Sequence, residues 1–216
     1  QDKYSIIEKY INLDYKDKIT LSDIHVSDKD FMVGSKYVSM YSIGDIDQLP
    51  MNVSTSVKHG KFSSESSDFR IGTPSTICLG LGFSHIYNQY FILENTQKVL
   101  KKVDQQAKHQ ASFSAVSREN EVNMEYNLQY IDEVTRNGLR PVRCAFNIVI
   151  WDENYPQLLK KNTLASTRLA NLDITAYKTE HIVPQLFWAG IPGASSFLPQ
   201  NMTILTCAEQ ACCYIN

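Results

Sequence analysis

Residues Arg140–Asp152 read RPVRCAFNIVIWD. Val142, Cys144, Phe146, Ile148 and Ile150 alternate with Arg143, Ala145, Asn147, Val149 and Trp151. Successive strand side chains point to opposite faces, so one face here is wholly apolar and the other turns apolar toward its end. This is the strongest strand signal in the chain.

The segments on either side alternate in type. Upstream, Asn137-Gly138 is a stop signal, since both residues tolerate a left-handed backbone. It closes a helix over Glu119–Arg136, with Val122, Tyr126, Tyr130 and Val134 expected on its buried side. Asn95 is a good N-cap for an earlier helix running to about Ser117. Val99, Val103, Ala107 and Ala111 form the apolar stripe of that helix. His85–Leu93 reads as a strand with apolar residues on both faces, which predicts burial on both sides. Downstream, Asn154-Tyr155-Pro156-Gln157 opens a third helix with a cap, a first-turn proline and Gln at the box position. Leu158, Ala165, Leu169 and Leu172 are its expected buried side, and a short strand over Asp173–Lys178 follows. The order strand–helix–helix–strand–helix–strand predicts an α+β fold, α/β-like in its alternation, with long helices packed on a mixed sheet.

The first half of the chain is less regular. Lys36–Ile43 (KYVSMYSI) reads as a strand ended by Gly44-Asp45. Ile6, Ile7, Tyr10 and Ile11 share a helical face, and residues 1–35 read as a connector with mixed charge. Met51–Asp68 holds six serines and reads as a surface loop or weak hairpin. Gly72, Pro74, Gly80 and Gly82 make the next segment turn-like. Gly80-x-Gly82 lacks the third glycine and the following helix of a dinucleotide loop.

Composition narrows the function classes. The 216 residues are 43% hydrophobic and 20% charged, with a net charge of -2. That is an ordinary globular balance, and any nucleic-acid contact requires a local basic patch. Lys98, Lys101, Lys102 and Lys108 make such a stripe on the first long helix. It reads as solvated helix surface, because no aromatics interleave the lysines as in single-strand binders. The five cysteines, Cys78, Cys144, Cys207, Cys212 and Cys213, are odd in number and show no Cys-x-x-Cys spacing. Reduced thiols are therefore the expectation, with neither a disulfide framework nor a zinc site. His25, His59, His85, His109 and His181 are scattered along the chain and predict no metal site. A thiol nucleophile paired with a histidine is the enzyme alternative, since folding can join residues distant in sequence. No G-x-x-x-x-G-K-[ST] phosphate loop is present, so no cofactor is expected in this chain.

The C-terminal stretch carries no Asp, Glu, Lys or Arg between His181 and Glu209. Pro184, Gly190, Pro192, Gly193 and Pro199 break it into pieces too short to span a membrane. Ile191-Pro192-Gly193 reads as a tight turn. Trp188, Ile191 and Phe197 beside it are core or contact residues. Thr206-Cys207-Ala208-Glu209 reads as a capping box opening a helix that is still running at Asn216.

Two motifs there, WAGIPGASSFLP and TCAEQACCYIN, resemble the TraG family of conjugative-transposon ATPases, the large ATPases of type IV secretion and conjugation. HIYNQYFILEN, SAVSRENEVNMEYNLQYIDEV and GLRPVRCAFNIVIWDE are similar to earlier parts of the same family region. The likeness covers about the last two-thirds of the chain. Ala194 departs from it, standing where the family has Asn after Pro-Gly. The resemblance implies that residues 36–216 are the pre-motor domain of a larger ATPase, cut before its P-loop domain, where ATP and Mg would bind. It implies a cytoplasmic, non-catalytic docking role at the inner face of the bacterial inner membrane during DNA transfer. The partners implied are the chain's own motor domain and other channel proteins, with homo-oligomers in the full-length form and only peripheral membrane contact. The candidate interaction residues are Trp188, Ile191, Pro192, Gly193 and Phe197, next to the motor junction.

Overall fold

The computed structural model describes residues 24–26, 31–50, 54–58, 60–61, 63–65, 67–78, 80–114 and 117–214. The helix expected around Ile6–Ile11 lies outside the described residues. The fold is α+β. The chain divides into two compact units, one of Gln1–Met51, Ile77–Asn88 and Phe146–Met202, the other of Asn52–Thr76, Gln89–Ala145 and Thr203–Asn216. Strands β6 (His85–Leu93) and β7 (Pro141–Asp152) contribute residues to both.

In the first unit, β1 (Ile24–Val26), β2 (Phe31–Val33) and β3 (Lys36–Ile43) form an antiparallel meander. Strand β3 then pairs antiparallel with β7, from Tyr37↔Asp152 to Ile43↔Phe146. The boundaries of β3 are those the alternation predicts. It stops where Asp45 caps a 3-10 turn at Ile46–Gln48, and the Gln48 side-chain oxygen accepts from the Gly44 and Asp45 amides at 2.7 and 2.9 Å. A short helix, α1 (Thr73–Cys78), replaces the expected turns before β6 and buries Ile77.

Helix α4 (Tyr155–Ala170) begins as its signals predict, with the Asn154 side-chain oxygen accepting from the Gln157 amide. Leu158, Ala165 and Leu169 are buried, as expected. Leu172 lies past the helix end. Asp173 there adopts a φ of 56°, and the Ile174 amide donates back to the Leu169 carbonyl at 3.0 Å. This left-handed closure consumes the residues expected to begin the next strand. Strand β8 is therefore only Tyr177–Thr179, paired with Ser42–Met40 of β3. Lys161 ties the helix to the end of β7, donating to Asp152 at 2.7 Å and to the Trp151 carbonyl at 3.0 Å. The hydrogen bond from Lys161 holds the Asp152 carboxyl below its ordinary range.

In the second unit, Pro141–Cys144 of β7 pairs antiparallel with β9 (Ile204–Cys207). The serine-rich segment forms a small hairpin of β4 (Ser56–Lys58) and β5 (Arg70–Gly72), with Lys58 bonded to Asp68 at 2.7 Å. Helices α2 (Thr96–Phe113) and α3 (Arg118–Asn137) make an antiparallel pair, and Asn127 donates to Gln110 between them at 2.8 Å. Val99, Val103 and Ala107 are buried on α2 as expected, whereas Ala111 is exposed.

Two expectations fail here. The stripe of α3 is not buried: Val122 and Tyr126 are 36% and 66% exposed, and within the helix only Val134 is buried. The helix has 20 residues, about 30 Å of length. The face α3 turns to α2 carries Asn127, Ile131 and Val134, which are half-buried or buried, so Val122 and Tyr126 lie beside that face, and Tyr130 donates to the Thr206 carbonyl at 3.4 Å. Strand β6 is likewise not covered on both faces. Tyr90 alone is buried in it, because β6 ends the strand order β1-β2-β3-β7-β6 and has a neighbour on one side only.

The core centres on β7, where Val142, Cys144, Phe146, Ile148 and Ile150 are each no more than 2% exposed. Replacing Ile150 by Ala removes packing that cannot collapse around the gap. Urea unfolding should show a loss of about 2–5 kcal/mol, and a loss below 1 kcal/mol would mean that β7 is not the packing centre.

Candidate functional site

The residues expected to form a contact at the motor junction lie on helix α5 (Val183–Ala189) and the turns that follow it. Gly190 and Gly193 have separate physical causes. A Cβ on Gly190 would come within 2.8 Å of the Asn88 amide nitrogen, and that nitrogen is already donating to Asn147 at 2.8 Å. Gly193 has a φ of 92°, a region that strains residues with a Cβ. The turn needs no side-chain amide at position 194. The Ala194 amide donates to the Ile191 carbonyl at 2.9 Å, and Gln185 reaches over to the Phe197 carbonyl at 3.0 Å.

The five expected contact residues differ in availability. Phe197 is 57% exposed, and Pro192 and Gly193 are also exposed. Ile191 is half-buried, and Trp188 is half-buried with its ring edge-on to Phe187 at 5.9 Å. Of the basic stripe on α2, Lys98, Lys101 and Lys102 are exposed, while Lys108 is held by Asp104 at 2.6 Å. The capping box at Thr206 does not form. Cys207 takes the cap position of helix α6 (Ala208–Ala211) without a side-chain cap bond, because Thr206 is still paired in β9. Its hydroxyl donates instead to the Gln210 side-chain oxygen.

The cysteines and histidines are dispersed. Burial pushes the Cys78 and Cys144 thiols up to about 11, and it also raises Cys207. His85 bonds the Phe83 carbonyl at 2.9 Å, and His109 lies 5.1 Å from the Phe113 ring. Among the described residues, no three His, Cys, Asp or Glu side chains form a group that could hold a metal ion. No helix among them is long and apolar enough to cross a membrane.

A cavity of about 430 Å³ in the first unit was not foreseen from the sequence. Alternation along β3 turns Tyr37, Ser39 and Tyr41 toward α4. Tyr37 meets Tyr155 edge-on at 5.4 Å, and Tyr41 donates to the Asn162 carbonyl at 3.2 Å. Between them, Ser39 and Asn162 line the cavity while being only 4% and 6% exposed. The Ser39 hydroxyl oxygen and the Asn162 side-chain oxygen have no hydrogen-bond partner. Phe31, Leu158 and Val183 supply apolar wall, and Lys178, Glu180 and His181 stand exposed around it. The opening follows from register. Strand β2 pairs with β3 up to Val38 and β8 begins at Met40, so Ser39 faces a gap between two strand ends.

Signals for this site do exist in the sequence. Asn162 sits four residues after Leu158 and three before Ala165, a polar residue in the middle of an apolar stripe. Ser39 stands between Tyr37 and Tyr41 on one strand face. Pattern reading passes over such residues because it counts the apolar positions and skips the exception.

Compared with known proteins, the chain matches no family model and no curated protein. Its resemblance to the TraG ATPases rests on the quoted residues.

The thiol chemistry is open to direct measurement. At pH 8 a thiol titrating near 11 holds about a hundredfold less thiolate than an ordinary one. Iodoacetamide should label exposed Cys212 first, half-buried Cys78 more slowly and buried Cys144 last, with Cys78 accelerating up to about pH 11. Fast labelling of Cys78 or Cys144 at neutral pH would point to an activated nucleophile.

Proposed function

We propose that this chain is a docking module, the non-catalytic pre-motor domain of a TraG-type conjugation ATPase that seats the motor on the secretion apparatus. The observation that carries the docking reading is the set of large apolar side chains left exposed on the α2–α3 pair. Phe113, Val122, Tyr126 and Leu128 are 47%, 36%, 66% and 47% exposed. A fold that leaves large apolar side chains in water on a helix pair keeps surface available for a protein partner. Aromatic side chains on such a surface bring much contact area at low entropic cost. Phe197 offers a separate exposed ring, on a turn braced by Gln185.

The family assignment draws on the residue motifs, and the WAGIPG turn supports it physically. Both of its glycines answer to a local constraint, one steric and one conformational. On this reading ATP and Mg belong to the P-loop motor domain, the channel proteins are further partners, and any membrane contact is peripheral. The site of action is the cytoplasmic face of the bacterial inner membrane.

Binding of this chain to the P-loop motor domain of a TraG-type ATPase can be measured by interferometry. Tyr126→Ser with Leu128→Ser, and separately Phe197→Ser, remove exposed rings or branched chains without opening the core. Their melting temperatures should stay close to that of the parent, as exposed substitutions change stability by about 0.5 kcal/mol or less. At least one variant should weaken motor binding by about tenfold or more. Undiminished binding in both, or no binding by the parent chain, would sink the docking assignment.

A further inference from the structure

We propose that an outer stripe of helix α3 receives a basic amphipathic helix, apolar at its centre and carrying Lys or Arg toward both ends. This rests on the docking reading and names the chemistry of the partner at one of its surfaces.

The first ground is spacing. Glu119, Val122, Tyr126, Gln129 and Glu133 follow one another at intervals of three, four, three and four residues. Those are the seam intervals of a coiled coil, which keep side chains on one side of a helix. All of them are exposed, Val122 by 36% and Tyr126 by 66%. The side turned to α2, with Asn127, Ile131 and Val134, lies elsewhere on the helix. Helix α3 thus has one covered side and a second seam in solvent, with two large apolar side chains near its centre.

The second ground is charge. Glu119 and Glu133 close the stripe at its two ends, 14 positions apart (133 minus 119), or about 21 Å along the helix. Among the described residues neither forms an ion pair. Other charges on these helices are paired within one helix: Lys108 holds Asp104 on α2, and Arg136 holds Asp132 on α3. Glu119 also suits the positive start of α3, but Glu133 stands one turn from the negative end, where an acid brings the helix no gain. No Lys or Arg falls on the stripe. A partner that covers Val122 and Tyr126 takes water from the two glutamates, which resist this unless a cation replaces it. Lys or Arg side chains about four turns apart on a partner helix meet that need, and their apolar stems extend the cover over Tyr126. A second copy of this chain is a poor match. The exposed lysines of α2, Lys98, Lys101 and Lys102, lie within about 6 Å of helix length and reach only one end of the stripe.

The test is binding of the whole chain to the P-loop motor domain of a TraG-type ATPase, measured by interferometry at low and at high NaCl. High salt should weaken binding about tenfold, because charge pairs at the edge of an interface are screened. Glu133→Lys should weaken low-salt binding about tenfold or more and flatten the salt dependence. Its helix content and melting temperature should not fall, since a cation suits that end of α3. Glu119→Gln should weaken binding severalfold and gives the answer if Glu133→Lys does not fold. Glu121→Lys makes the same change in net charge on another side of α3, and should change binding by less than about threefold. If Tyr126→Ser with Leu128→Ser weakens binding but neither salt nor Glu133→Lys does, the docking reading stands and this inference falls. Equal losses from Glu133→Lys and Glu121→Lys would overturn it too, because net charge would then decide. A parent chain that does not bind the motor removes the docking reading and this inference together. A dimer seen by light scattering that Glu133→Lys dissociates would make a second copy the occupant, which also overturns it.

Discussion

Strand β7 is paired and buried along almost its whole length, and β3, β6 and β9 pair with it. Its last seven residues carry β3, and its first four carry β9. A strand in that position must be apolar on both faces and must satisfy any polar side chain it buries. Asn147 is the test of that rule, 2% exposed in the middle of the strand and bonded to Asn88. Asn88 lies so close to Gly190 that a Cβ added there would meet its side-chain nitrogen at 2.8 Å. One buried amide pair thus links the centre of the sheet to the turn after α5, and it explains why a glycine stands at that turn. Arg143 is handled in the same way, bonded to Glu94 at 3.1 Å and to the Thr203 hydroxyl at 3.2 Å.

Against this background of satisfied polar groups, the unpartnered pair at Ser39 and Asn162 stands out. Both belong to elements whose other buried positions are packed or bonded. Strand β3 needs a residue between the end of β2 and the start of β8, and α4 needs a fourth-residue contact between Leu158 and Ala165. An apolar side chain would serve either place for stability alone. Polar residues at both places lower stability, since neither oxygen finds a partner.

The α2–α3 pair presents the opposite arrangement. Its inner stripe of Val99, Val103 and Ala107 is buried, so the pair is well anchored at that side. Tyr126 and Leu128, about 200° apart around α3, both stay in solvent. Helix α3 is stabilised locally by Glu119 and Glu121 in its first turn and by Gly138 at its end, with a φ of 64°. The exposed apolar side chains of this helix pair suit the docking role proposed here.

Local rules placed the elements correctly where the signal lies within a few residues. The bounds of β3, the Asn95 and Asn154 caps, the Gly138 stop and the order from β6 to β8 follow from hydrogen-bonding chemistry and side-chain period. These depend on neighbours in sequence, so the residues alone carry them. Burial did not follow in the same way. The apolar stripe of α3 has the right period, but whether it is covered depends on which face the helix turns to α2. Strand β6 is apolar on both faces, but its place at the end of the strand order leaves much of it in solvent. The cavity was furthest from sight. Ser39 and Asn162 lie 123 positions apart (162 minus 39), and only the packing of α4 on β3 brings them to one wall. A periodic pattern states which side of an element is apolar, and only the assembled chain decides what faces that side.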